Sequence, residues 1–170
     1  MNATAVTFAH WAAIHLFAMD VDGVLTDGSI GISADGKEIK FFSVLDGLGL
    51  GLVLRAGLGL AWISGRSSAV TEIRAKELRI PHLIQGRTDK LAVLQDLAGK
   101  LSLSPAQCLY MGDDEIDVPA IRWAGIGVTV PGAMPGPLAA ARYVTARPGG
   151  RGAVREVCDR LLAAKEAAPS

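Results

Sequence analysis

Along the chain, short apolar runs alternate with longer stretches in which apolar positions recur at helical spacing. The first apolar run, residues 14–19, stops abruptly at Asp20. An Asp35-Gly36 turn between two alternating runs predicts a β-hairpin within residues 29–42. Residues 45–55 read as a helix closed by Gly57 and Gly59, then a strand at 60–63 and a helix at 67–78. A short strand at 80–84, interrupted by Pro81, precedes an amphipathic helix at 88–101. A strand at 108–111, a helix at 114–124, a strand at 126–130, a loop at 131–137 and a short strand at 142–145 follow. The turn Pro148-Gly149-Gly150 leads into a last helix at 153–164. Strands separated by helices of this length predict an α/β fold: a parallel sheet with right-handed crossovers and helices on both faces.

Composition supports that picture and narrows the function. Half of the 170 residues are hydrophobic and 20% are charged, which suits one compact domain over residues 1–170 and excludes a disordered chain. Lys plus Arg and Asp plus Glu both number 17, so no bulk charge is available to hold nucleic acid or an anionic membrane. Cys108 and Cys158 stand in apolar patterns with no Cys-x-x-Cys pair, as buried free thiols would in a reducing cytoplasm. The first 19 residues carry no Lys or Arg, and the Leu/Gly stretch at 47–54 is too short to cross a bilayer. The expectation is a soluble cytoplasmic protein. His10, His15 and His82 have no motif partners and read as structural or surface residues.

In parallel sheets, reactive groups gather beyond the carboxyl ends of the strands. The first strand ends in Asp20-Val21-Asp22-Gly23. Two carboxylates at that spacing can share one small ligand, one attacking while the other handles a proton, or they can form an acidic surface turn. Ser64-Gly65-Arg66 follows the second strand, where a hydroxyl beside free N–H groups makes an anion site or an ordinary helix cap. Lys90 opens a helix against the helix dipole, which hints at a task beyond solvation. Asp113, Asp114, Glu115 and Asp117 crowd four acids into five positions after the fourth strand. Oxygen ligands without nearby His or Cys point to Mg²⁺ in preference to zinc.

An Asp pair, a Ser, a Lys and an Asp cluster in that order resemble the four motifs of the haloacid dehalogenase superfamily of phosphotransfer enzymes. The runs D-V-D-G-V-L-T-D-G from Asp20, D-G-L-G from Asp46, I-S-G-R, G-D-D-E-I-D-V-P and P-G-G-R-G-A-V-R-E-V-C-D resemble the 3-deoxy-D-manno-octulosonate 8-phosphate phosphatase family more closely still, over residues 14–162. The resemblance implies a Rossmann-like sheet without a cap domain and a Mg²⁺-dependent phosphatase of lipopolysaccharide precursor synthesis, acting through an aspartyl-phosphate. Asp20 is then the nucleophile and Asp22 the acid and base. Ser64 and Lys90 hold the phosphoryl group, and Asp20, Asp113 and the Asp22 carbonyl bind Mg²⁺. Asp114 and Asp117 support that centre. Asp22, Asp46, Gly47, Gly65, Arg66, Arg74, Lys90 and Arg151 form the expected substrate set, with Arg155 also available. The resemblance further implies a homotetramer in which neighbouring hairpins assemble and neighbouring subunits cover each open site. Leu45 and Gly51 stand where relatives often carry basic residues, which keeps open a phosphatase for a nine-carbon keto-sugar 9-phosphate. A non-catalytic assembly module is the alternative outside enzymes.

Overall fold

The computed structural model describes residues 6–167; the two ends of the expected 1–170 domain, residues 1–5 and 168–170, lie outside the described residues. In chain order the elements are α1 (Phe8–Ala12), β1 (Leu16–Met19), β2 (Gly31–Ile32), β3 (Glu38–Ile39), α2 (Val44–Arg55), β4 (Gly59–Ile63), α3 (Ala69–Glu77) and β5 (His82–Ile84). They continue with α4 (Lys90–Lys100), β6 (Cys108–Met111), α5 (Val118–Trp123), β7 (Ile126–Thr129), α6 (Pro135–Ala140), β8 (Tyr143–Val144) and α7 (Ala153–Glu166). Six strands form one sheet in the order β5-β4-β1-β6-β7-β8, with every neighbouring pair parallel. β2 and β3 make the separate antiparallel hairpin.

The period of two along β1 divides the core. Phe17 and Met19 enter the layer that holds Leu50 and Val53 of α2 and Val157 and Leu161 of α7. Leu16 and Ala18 enter the opposite layer, with Leu94 and Leu97 of α4 and Ile121 of α5. Burying each large side chain contributes about 1.5–3 kcal/mol, so a strand covered on both faces must be apolar throughout. Helix α2 is rich in glycine, a poor helix former. Close packing on α7 explains one of these positions: a Cβ at Gly49 would lie 2.8 Å from Arg155 Cδ and 3.1 Å from Cys158 Cβ.

The structure adds two short helices to the expected order. Helix α1 starts at Thr7, whose backbone N–H donates to His10 Nδ1 at 3.0 Å, so this histidine is a cap ligand. Helix α6 occupies part of the expected 131–137 loop. Its prolines read as breakers in sequence, yet Pro135 opens the helix, where no N–H is needed. Helix α3 starts at Ala69, capped by Ser68, two residues later than expected.

Chain order runs outward from β1 to β4 and β5, then returns across the sheet to β6. The reversal leaves a crevice between the carboxyl ends of β1, β4 and β6, the usual ligand position in such sheets. β1 and β6 are in register, Met19 opposite Met111, and the Asp20 N–H donates to the Met111 carbonyl at 2.9 Å. The residues that follow these two strands are therefore side by side.

Candidate active site

Each strand delivers its last residues into that crevice. Asp20 follows β1, Ser64 follows β4, and Asp113 follows Gly112 at the end of β6. Asp20, Asp22, Ser64, Gly65, Arg66, Asp113, Asp114 and Ile116 line a cleft of about 180 Å³. Lys90, the first residue of α4, enters from below with its side chain fully buried.

Lys90 Nζ sits 2.7 Å from Asp20 Oδ2 and 2.7 Å from Asp117 Oδ1. Asp117 Oδ1 also accepts from Tyr110 Oη at 2.8 Å, and Oδ2 accepts the N–H groups of Asp113 and Asp114, each at 3.1 Å. Both oxygens of Asp117 are thus engaged, and this buried carboxylate anchors Lys90 and the Asp113 loop. The other oxygen of Asp20 accepts the Val21 N–H at 2.7 Å. Ser64 Oγ accepts the Arg66 N–H at 3.2 Å, leaving its own proton to give.

Carboxylates so close raise one another's affinity for protons. Burial, then the Asp117 charge, push Asp20 up to about 6 despite the opposing Lys90 charge. Burial, then Asp20 and Asp117, push Asp113 up to about 7. Burial alone would lower Lys90, but the Asp20 and Asp117 charges outweigh it and hold its pKa above the ordinary value. Desolvation and the Asp117 charge hold the Tyr110 hydroxyl protonated far above its usual range.

One ligand oxygen each from Asp20, Asp113 and Asp117 falls within 4.8 Å of the others. Asp113 Oδ1 is buried without a hydrogen-bond partner. An orphaned carboxylate oxygen in an all-oxygen donor set fits a hard divalent cation such as Mg²⁺. Asp20 and Asp113 can turn oxygens to it, whereas Asp117 is committed elsewhere.

Glycine permits this crowding. Gly23 has φ +88°, and a Cβ there would meet Asp113 Oδ2 at 2.0 Å. Gly149 lies against the β1 loop, where a Cβ would fall 1.8 Å from the Gly23 carbonyl oxygen. The glycine-rich turn before α7 thereby props the Asp20–Thr26 segment.

The remaining expected residues divide into two groups. Gly65 and Arg66 border the cleft, though the Arg66 guanidinium is engaged by Glu38 of the hairpin, Nη2 donating to Oε1 at 3.0 Å. Arg151 lines an adjoining cleft with Gly23, Asp27 and Asp113. Asp114 is exposed and accepts the Glu115 N–H at 2.7 Å, opening a 3₁₀ turn at Glu115–Asp117. Asp46 and Arg74 stand apart from the cleft. Asp46 is buried and accepts the N–H groups of Gly152 at 3.2 Å and Arg155 at 2.8 Å, so both of its oxygens hold the start of α7. Burial raises its pKa against those bonds. Arg74 pairs with Glu77 at 2.7 Å, lies over the Phe42 ring and presses Nη2 against Gly47. The Arg155 guanidinium pairs with Asp159.

Lys40 and Tyr110 were missed in the sequence. Lys40 leaves β3 with a fully buried side chain, and its Nζ lies 2.6 Å from Asp22 Oδ1. The available signal was the alternation in the hairpin's return strand, which sets Glu38 and Lys40 on one face and Ile39 and Phe41 on the other. Tyr110 lies inside an apolar run, and nothing in the sequence separates it from the core.

The chain is similar to known proteins over most of its length. The family model of haloacid dehalogenase-like hydrolases matches residues 66–155. The 3-deoxy-D-manno-octulosonate 8-phosphate phosphatase of Yersinia pestis is 44% identical over 155 residues, 91% of this chain and 83% of that protein. The Escherichia coli K12 enzyme of the same name is 45% identical over 152 residues, 89% of this chain and 81% of its own. Among solved structures, that phosphatase from Moraxella catarrhalis, in complex with magnesium, phosphate and the sugar acid, superposes with a TM-score of 0.92. It is 48% identical, with 94% of this chain and 91% of that one covered.

Proposed function

The chain belongs to the haloacid dehalogenase-like hydrolases and, within them, to the 3-deoxy-D-manno-octulosonate 8-phosphate phosphatase family, and on that premise we infer that it hydrolyses octulosonate 8-phosphate to the free sugar acid and inorganic phosphate with Mg²⁺ as cofactor. The observation that carries this reading is the convergence of Asp20, Lys90 and Asp113, with one buried Asp113 oxygen that has no hydrogen-bond partner.

In this reading Asp20 is the nucleophile. Its carboxylate attacks phosphorus, the bond from phosphorus to the sugar oxygen breaks, and that oxygen takes a proton from Asp22. Asp22 then removes a proton from water as the water oxygen attacks phosphorus. The bond to Asp20 breaks, phosphate leaves, and the carboxylate is restored. A carboxylate nearing a phosphate dianion meets repulsion, and Lys90 places positive charge beside the line of approach. Mg²⁺, when held by Asp20, Asp113 and the Asp22 carbonyl, neutralises further charge on the phosphoryl group. Ser64 donates its hydroxyl proton to a phosphoryl oxygen, and Asp117 keeps Lys90 in place. Arg66, Gly65 and Arg151 border the space for the rest of the sugar acid. Asp46 holds the start of α7 and Arg74 packs on Gly47, so these three act on the scaffold around the cleft.

The cleft, at about 180 Å³, is smaller than the roughly 300 Å³ at which ligand pockets begin, so it takes the phosphoryl end and leaves the sugar uncovered. The hairpin next to it exposes Ile32 and Phe41 by 75% and 79%. These two features support a homotetramer in which apolar hairpins meet and a neighbour covers each site. An active monomer in light scattering would exclude that assembly. Leu45 and Gly51 support a second substrate class, nine-carbon keto-sugar 9-phosphates. Phosphate release from eight- and nine-carbon keto-acid phosphates, with and without Mg²⁺, tests both readings. Turnover of the eight-carbon ester above all others, abolished by chelation, is the expected result; preference for a nine-carbon ester would reassign the substrate.

A further inference from the structure

Three carboxylates differ in how their oxygens are used: buried Asp117 beneath the site, buried Asp46 apart from it, and half-buried Asp22 in the cleft wall. Asp117 and Asp46 have both oxygens occupied, as expected of groups that hold structure together. Asp22 has one. Its Oδ1 accepts from Lys40 Nζ at 2.6 Å, while Oδ2 is buried and without a partner beside the Asp20 cleft. The side chain of Lys40 is fully buried, its Nζ also 3.5 Å from Thr71 Oγ1 and 3.9 Å from Glu38 Oε1. Glu38 is itself tied to Arg66 Nη2 and to Ser68 Oγ, which fixes the base of the hairpin against the start of α3.

Stability alone gives a weak reason for this arrangement. Withdrawing an ammonium from water is costly, and a buried ion pair is often no better than apolar side chains of the same volume. The arrangement does, however, restrict the Asp22 carboxylate to one orientation, and proton transfer requires placement of the reacting oxygen to within a fraction of an ångström. We propose that Lys40 is a positioning residue for catalysis: by holding Asp22 Oδ1 it leaves Oδ2 aimed at the leaving oxygen and, in the second step, at the attacking water. This rests on the phosphatase reading above and adds the hairpin to the catalytic apparatus. In the first step the proton passes from Asp22 Oδ2 to the sugar oxygen as the phosphorus–oxygen bond breaks; in the second it passes from water back to Oδ2.

Leaving-group dependence tests the proposal. An alkyl leaving group needs the proton, whereas p-nitrophenolate departs without it. Lys40→Met keeps the length of the side chain and removes the charge. In this variant kcat for octulosonate 8-phosphate is expected to fall about 100-fold or more, with KM changed by less than about threefold. With p-nitrophenyl phosphate, an initial burst of about one nitrophenolate per site should persist near the wild-type rate, followed by slow turnover, because only the water step then needs Asp22. Equal loss of the burst and of alkyl turnover, or no loss of either, overturns the proposal. Removing one partner of a buried pair can prevent folding, so Asp22→Asn and the double variant Lys40→Met/Asp22→Asn provide a second comparison without an unpaired charge. Their steady-state rates should agree within about threefold if Lys40 acts through Asp22; a further loss of about tenfold in the double variant refutes it. Wild-type turnover of octulosonate 8-phosphate tests the substrate separately, since the leaving-group comparison holds for any alkyl phosphate the enzyme accepts.

Discussion

At the scale of single residues, the site is an arrangement of like charges stabilised by one lysine and prepared for a cation. Asp20 and Asp113 titrate near 6 and 7, above the 3.8 of a free carboxyl. In that interval the folded protein binds more protons than the unfolded chain, so their contribution to stability falls as pH rises from about 4 toward 7. Bound Mg²⁺ favours the ionised forms and reverses the trend. Added Mg²⁺ is therefore expected to raise Tm more at pH 8 than at pH 5.5; thermal melts with and without chelator measure this, and an equal shift at both would contradict the assigned repulsion. Asp20→Asn removes the attacking oxygen while retaining size and the contact with Val21. Phosphate release should drop to background, with Tm within a few degrees of wild type. Asp20, Asp22, Ser64 and Asp113 were legible because each follows a strand, and Lys90 because it opens a helix against the dipole. Lys40 was hidden because its partner lies 18 positions away, across a hairpin.

At the scale of elements, α2 and α7 depend on each other through Asp46. The carboxylate sits at the start of α7, where backbone N–H groups lack intrahelical partners and the dipole favours negative charge. Asp46→Ala would leave the Gly152 and Arg155 N–H groups without their acceptor and should cost about 2–3 kcal/mol, read as a lower denaturation midpoint. The motif around Asp46 signalled importance but not kind, since a carboxylate that caps a helix 106 residues away looks in sequence like one that binds substrate. The amphipathic helices and apolar strands were readable from their periods. Helices α1 and α6 were not, because five and six residues carry too little periodicity and α6 opens on proline.

At the scale of the whole molecule, six parallel strands converge their ends on one crevice while a small hairpin takes the place of a cap. The hairpin's inner face gives Glu38 and Lys40 to the site region, and its outer face exposes Ile39 and Phe41. If assembly through that outer face covers the substrate, Ile39→Asp/Phe41→Asp should shift the protein to smaller species in light scattering and raise KM for the sugar phosphate. Among the described residues no helix is long and apolar enough to cross a membrane. The amino-acid order by itself determined the α/β alternation, the two-sided core and the identity of the acids, hydroxyl and lysine after the strands, because side-chain period and local turn chemistry are properties of neighbouring residues. Only the tertiary structure decided which carboxylates are free to react and which are committed: Asp22 and Asp113 each keep an unpartnered oxygen, while Asp46 and Asp117 have none to spare. Hydrogen-bond partners and lost hydration come from segments distant in the chain, and no local pattern encodes them.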